Sequence, residues 1–232
     1  MNFDLNEEQQ MLADSVRRFI KQDYTFENRK AIVASEPGYS PGVWKTFAEL
    51  GLLALPIPTE HGGFGGTAVD LMPVMEAFGE ALVVEPYLST VMCAHMLGHP
   101  GRAVDDRHPG RANGATARGP ILSAVAEGRM ILAFAHSEDG ARYDLNHVAV
   151  TAKRDGDGFT IDGLKRVVLN GPQADRLLVS ARTSGAATDE SGISLFVVDP
   201  QTAGITMRAY RTIDGFRAAD IAFDGVRVRA DA

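Results

Sequence analysis

Ala126-Glu127-Gly128-Arg129-Met130-Ile131-Leu132-Ala133-Phe134-Ala135 is the stretch at which the hydrophobic pattern changes its period. Before Gly128, apolar residues recur about every four positions, the spacing of one helix face. After it they fall into short runs with a period near two, the spacing of strands. A short helix over 121–127 therefore stops at Gly128, and a strand begins at about 130. Helical and strand patterns are segregated rather than alternating, which indicates an α+β chain and excludes a doubly wound nucleotide fold. The reading divides the chain into an all-α bundle at 1–126 and an antiparallel β-barrel or sandwich domain at 127–232.

Upstream, the helix signals are local. Asn6 can cap a helix, with Gln9 three residues on, and Leu12, Val16, Phe19 and Ile20 then share a face. Ser40-Pro41 is a second start, followed by a stripe of Val43, Trp44, Phe47 and Leu50 and a stop at Gly51. With Asp70 as cap, Pro73 would fall in the first turn of a third helix, whose core face is Val74, Met75, Phe78 and Leu82. A fourth is expected over 87–97, stopping at Gly98. Residues 98–119 mix glycine, proline and charge without periodicity and read as a surface connection.

Downstream, strands are expected at 130–135, 147–153, 159–162, 167–169, 177–181, 193–199 and 219–228. Asp155-Gly156-Asp157-Gly158 and Asp162-Gly163 punctuate them as turns, and 184–192 reads as a solvent loop. Many short, evenly spaced strands indicate a barrel or sandwich.

Bulk properties narrow the classes. A net charge of −7 argues against a nucleic-acid groove. A single cysteine, Cys93, excludes an internal disulfide and a multi-thiolate zinc site. No apolar run has the length of a membrane span and no secretory leader is seen, so a soluble, cytoplasmic protein is expected.

Several candidate constellations are weak. Gly62-Gly63-Phe64-Gly65-Gly66 lacks the preceding strand of a dinucleotide loop and the lysine of a P-loop, and reads as a tight connection between helices. Cys93, His95, His99, Asp105 and Asp106 do not make a metal site, because Gly98 and Pro100 argue against His95 and His99 sharing a helix face. His136, Ser137 and Asp139 are too close in sequence to form a catalytic triad alone. The turn after Ala135, His136-Ser137-Glu138-Asp139-Gly140-Ala141-Arg142-Tyr143-Asp144, is more informative. A strand end with a hydroxyl and unpaired backbone donors suits an anionic or carbonyl-rich ligand, although a plain strand-to-loop transition would look alike.

Four stretches carry a family resemblance. Residues 44–67 (WKTFAELGLLALPIPTEHGGFGGT) resemble the acyl-CoA dehydrogenase segment that joins two N-terminal helices. Residues 135–144 resemble that family's T-E-P-x-A-G-S-D turn. Lys165-Arg166-Val167-Val168-Leu169-Asn170-Gly171 with Ala174-Asp175 is similar to its K-x-W-I-T-N-G-x-x-A-D strand, and 207–228 to the end of its middle domain. Within the family, Val167-Val168-Leu169-Asn170-Gly171-Pro172 and Val179-Ser180-Ala181-Arg182-Thr183-Ser184-Gly185 resemble the pimeloyl-CoA dehydrogenase small-subunit type.

The resemblance implies FAD as cofactor, an acyl-CoA thioester as substrate, dicarboxylyl-CoA as a candidate class, and electron-transfer flavoprotein as acceptor. It also implies a homo- or hetero-oligomer. By position, Phe134, His136 and Ser137 would lie along the flavin, Val167 and Leu169 would form the second flavin-facing strand, and Arg142 and Tyr143 would meet substrate. No residue here matches the family's catalytic base, which belongs to a C-terminal four-helix domain not found in these 232 residues. The departures are Val167 for an aromatic residue, Leu169 for a hydroxyl residue, Asp139 for proline, Arg142 for glycine and Tyr143 for serine. Two other readings stay open: a non-catalytic partner that completes another chain's flavin site, and a flavin monooxygenase on the same scaffold.

Overall fold

The computed structural model describes residues 4–99 and 114–229. Most of the expected connection over 98–119 thus lies outside the described residues, as do Asp105 and Asp106. The helical part comprises α1 (Glu7–Asp23), α2 (Phe26–Ala34), α3 (Pro41–Glu49), α4 (Ala68–Ala81), α5 (Tyr87–Gly98) and α6 (Gly114–Ala126). The strands follow as β1 (Leu132–Ala135), β2 (Thr151–Asp155), β3 (Gly158–Leu169), β4 (Arg176–Arg182), β5 (Ile193–Val198), β6 (Ile205–Arg211) and β7 (Arg217–Arg229).

The α1 cap forms as the spacing requires: Asn6 accepts from Gln9 N at 2.8 Å and Gln9 returns a carbonyl to Asn6 N at 3.0 Å. In α4 the cap is Thr67, not Asp70. Asp70 is the third helical residue and accepts from Thr67 N at 2.6 Å. That shift moves Pro73 out of the first turn and into the helix interior, where one backbone bond is forgone. Leu82 is not a core residue either. It is the left-handed cap of α4, φ 52°, and is 59% exposed.

The bundle core gathers around Phe47, which stacks on Phe78 at 4.7 Å and meets Phe19 and Tyr87 edge-on. Helix α2 buries no side chain, so it had no apolar stripe to reveal it. Polar groups hold it instead. Arg29 donates to the carbonyls of Leu82 (2.6 Å) and Asp214 (2.8 Å). Arg217 of β7 donates to the carbonyls of Val33 (3.1 Å) and Ser35 (2.7 Å) at the helix's C-terminal end, where unpaired acceptors concentrate.

Glu85, between α4 and α5, is buried with one carboxylate oxygen accepting from Ser40 N and the other without a partner. Burial holds its carboxyl above the usual range, although the nearby Tyr24 hydroxyl and backbone N–H groups pull the other way. The folded state therefore binds more protons than the unfolded one just above the ordinary carboxylate range, and stability falls as pH rises through that window. Glu85→Gln keeps an acceptor for Ser40 N and removes the titration. It is expected to gain on the order of 1 kcal/mol at neutral pH and to flatten this part of the stability profile, checked by urea unfolding at several pH values.

The strands form one curled sheet in the order β1-β4-β2-β3-β7-β6, with β5 also paired to β4. Most pairings are antiparallel. The exceptions are β1 with β4 and the single contact of β2 with β4, so the sheet is mixed rather than purely antiparallel. The two short strands expected at 159–162 and 167–169 are parts of one long β3. Strand β6 carries alternating exposed residues and gave no apolar run to recognise. Two bulges, between Ile161 and Gly163 and between Lys165 and Val168, shift register with β7 and let the long pair curl.

The sheet's interior packs Ala133, Ala135, Ile161, Val168, Val179, Phe196, Ile221 and Phe223. On the other face of β1, β4 and β5, Leu132, Leu178 and Val197 pack with Cys93, Leu97 and Leu122 of the helices. Cover on both faces explains why 131–135 and 177–179 read as nearly unbroken apolar runs. Trp44 Nε1 also donates to Gly128 O at 3.1 Å, tying the bundle to the junction. No described helix is long and apolar enough to cross a membrane.

The glycine-rich stretch is a packing device. A side chain on Gly63 would come within 2.0 Å of Ile57 O, and the N–H groups of Gly65 and Gly66 are spent on Ile57 O and Leu55 O. Those donors are unavailable to a phosphate. One expectation fails near α5: the rings of His95 and His99 stack at 4.4 Å, because His99 closes the helix end with its Nδ1 on His95 O.

Candidate active site

The turn after β1 and the C-terminal end of β3 meet through a backbone hydrogen bond from Arg166 N to Ser137 O, 2.8 Å. Strand alternation turns Phe134 away from the sheet interior, and His136 follows on the same side. Their rings lie parallel within 4° at 5.1 Å, forming a half-exposed platform. Ser137 is exposed at its edge.

The second bulge decides what β3 presents. Lys165 pairs with Ile221 and Val168 with Ala219, so Arg166 and Val167 together face Asp220. Both Lys165 and Val168 are buried, which leaves Val167 (51% exposed) and Leu169 (46%) on the outward side. Asp220 organises the bulge by accepting from Val167 N (3.3 Å), Arg166 Nη1 (2.8 Å) and the Tyr210 hydroxyl (3.2 Å). Partial burial opposes ionisation of Asp220, yet these donors hold its carboxyl below the usual range. Arg166 also grips Asp139 of the turn, Nε to Oδ2 at 2.9 Å.

Left-handed backbone concentrates here. Among the described residues other than glycine, φ is positive at Leu82, Arg142, Val167 and Asn170. Leu82 ends a helix; the other three lie in the two segments that meet at this site. A β-branched residue at φ 48° is strained, and such strain persists where the surroundings impose it. Asparagine tolerates this conformation, so Val167→Asn is expected to stabilise the fold by about 1 kcal/mol. The urea midpoint should rise at unchanged slope.

Beneath the platform is a buried ion pair that the sequence reading did not single out. Lys165 is fully buried, and its Nζ donates to Glu138 Oε1 at 2.6 Å. Glu138 also accepts from Ala149 N (2.6 Å) and Val150 N (3.1 Å), which closes the turn's loop onto the start of β2. Burial pulls the Lys165 ammonium below its usual range, and Glu138 offsets part of that. The signal available in sequence was a lysine inside an apolar strand; its partner becomes evident only from the tertiary fold. Arg182 anchors the far side of the same loop by donating to five carbonyls, those of Asn146, Val148, Ala187, Asp189 and Ser191.

Arg142 and Tyr143 are placed at the tip of the turn. Both are exposed, Tyr143 at 98%, and the 141–144 turn closes by Asp144 N to Ala141 O, 2.9 Å.

Two family models match the chain. Residues 6–103 match the N-terminal domain of acyl-CoA dehydrogenases, and residues 133–226 match their middle domain. The chain belongs to the acyl-CoA dehydrogenase family. It is 30% identical over 198 residues to acyl-CoA dehydrogenase FadE12 of Mycobacterium tuberculosis, covering 82% of this chain and 47% of that protein. With the probable acyl-CoA dehydrogenase YngJ of Bacillus subtilis it shares 26% identity over 233 residues, covering 99% of this chain and 58% of that one. Among solved structures, a variant of the Tcur3481–Tcur3483 steroid acyl-CoA dehydrogenase superposes with a TM-score of 0.81 at 27% identity, covering 96% of this chain and 56% of that one. The ChsE4–ChsE5 complex of Mycobacterium tuberculosis gives 0.77 at 25% identity, covering 100% and 57%. The chain thus spans about half the length of the curated acyl-CoA dehydrogenases it matches.

Proposed function

We propose that this chain contributes one wall of an FAD-dependent acyl-CoA dehydrogenase site, within a multi-chain assembly of the small-subunit type. The observation that carries the reading is the Phe134–His136 platform, with an exposed hydroxyl at its edge and half-exposed aliphatic side chains on β3. An apolar, partly open surface with few polar groups fits a planar, mostly apolar ring system. Phe134, His136, Val167 and Leu169 would flank the flavin, and Ser137 would offer its hydroxyl and backbone N–H to the ring's polar edge. When bound, the flavin supplies the hydride-accepting chemistry of the family.

The chain's own residues bind and orient. Arg142, exposed at the turn, would meet a phosphate or a substrate carboxylate, which makes dicarboxylyl-CoA thioesters the first class to test. Tyr143 beside it would cover the thioester side. Neither Glu138 nor Asp139 is free to take a proton from carbon. Glu138 is buried against Lys165 and two amides, and Asp139 is paired with Arg166. The base would come from another segment or chain, electron-transfer flavoprotein would be the acceptor, and a cytoplasmic location goes with this reading.

A second reading, a non-catalytic subunit that completes a partner's flavin site, is favoured by Val167 and Leu169. They present only aliphatic surface, with no aromatic ring or hydroxyl at these positions. The test is isolation of the protein from its own cells with the chains that accompany it. Flavin content and acyl-CoA oxidation are then measured for the native sequence and for Leu169→Asp. Bound flavin and turnover that fall together in the variant support the first reading. Flavin retained with no turnover selects the second, and a flavin-free assembly overturns both.

A further inference from the structure

The donors and acceptors around Lys165 favour one arrangement of hydrogens. Its Nζ has three hydrogens and three acceptors: Glu138 Oε1 at 2.6 Å, Ser180 Oγ at 2.9 Å and His136 O at 3.1 Å. An ammonium has no lone pair, so Ser180 Oγ accepts from it. The serine's own proton is then directed to His136 Nδ1, 2.9 Å away. Nδ1 therefore accepts, and the ring carries its proton on Nε2. Ser180 is fully buried, so water does not compete for this bond.

Burial is the main opponent of a second proton on His136; of the charged groups facing it, Lys165 from β3 also opposes one and Glu138 from the turn favours one. Protonating Nδ1 would also fill both acceptor positions of the hydroxyl, strand its own buried proton and set a second cation beside the ammonium.

We propose that Lys165, acting through Ser180, fixes His136 as the neutral Nε2–H tautomer, so that the ring stacked beside Phe134 offers a hydrogen-bond donor at Nε2 while its Nδ1 is occupied. What that donor would meet rests on the functional reading above; the tautomer does not.

Long-range proton–nitrogen NMR of the full 15N-labelled chain near neutral pH tests it. The His136 pair should show an unprotonated Nδ1 and a protonated Nε2. Ser180→Ala should release the tautomer into a mixture. Ser180→Thr, which keeps the hydroxyl, should restore the Nε2–H form. A protonated Nδ1 in the native chain overturns the proposal before any variant is made. So does an Ala variant that keeps the Nε2–H form. The spectra are taken without cofactor, so failure of the flavin reading leaves them unaffected.

Discussion

Replacement of Lys165 by alanine is expected to destabilise the fold by about 3–5 kcal/mol, the range for removing one partner of a buried ion pair. The lysine side chain is 0% exposed and Glu138 is 4% exposed. Without the ammonium, the carboxylate keeps only the N–H groups of Ala149 and Val150 in a site that water does not reach. It must then stay charged at high desolvation cost or take up a proton and lose part of the loop closure. Ser180 Oγ and His136 O lose a donor as well. The double change Lys165→Met with Glu138→Gln should recover much of the loss, since it removes both charges rather than orphaning one. Urea unfolding of the three variants gives the comparison. A loss below about 1 kcal/mol for Lys165→Ala would mean that the pair behaves like an exposed one. Asp139→Ala provides that reference, because its bridge to Arg166 joins side chains that are 74% and 36% exposed.

The contrast between these two pairs marks what the sequence could and could not disclose. Local rules placed the α1 and α3 caps, the stop at Gly128 and most strands, because each depends on a few neighbouring residues. They failed where the determinant lay elsewhere in the chain. Helix α2 has no apolar face and is held by Arg29 and Arg217, the latter from the far end of the sequence. The cap of α4 slipped by three residues because Thr67 and Asp70 are both good capping residues, and here they divide the capping box between them. The β1–β4 pairing is parallel, which no alternation pattern encodes. The candidate site shows the same division. Phe134, His136, Ser137, Val167 and Leu169 were legible through motif resemblance. The bulge that turns Val167 outward was not, because it needs Asp220 opposite; nor was the Lys165–Ser180–His136 chain, which joins three strands or strand ends.

The 232-residue polypeptide expressed alone is expected to purify with little or no flavin and to show no acyl-CoA dehydrogenation. Three carboxylates at the candidate site are already engaged, Glu138 by Lys165 and two amides, Asp139 and Asp220 by Arg166. Proton removal from a thioester's α-carbon would then lack a positioned base, which typically lowers rates by about 10²–10⁴-fold. The platform is also open on one side: Val167 and Leu169 are about half exposed and Tyr143 almost wholly so. A ring lying there would keep one face in water, where each polar contact is worth a fraction of its buried strength. Exposed aliphatic surface of this kind favours association, so the isolated chain should self-associate or bind a second chain. Three measurements decide the matter: visible absorbance in the flavin region, oxidation of acyl-CoA with an artificial acceptor, and light scattering for oligomeric state. Stoichiometric flavin with steady turnover by the lone polypeptide would show that these residues build a closed site by themselves. The base would then have to be sought among the other carboxylates, with Asp144, the exposed acid at the end of the motif turn, the first to replace.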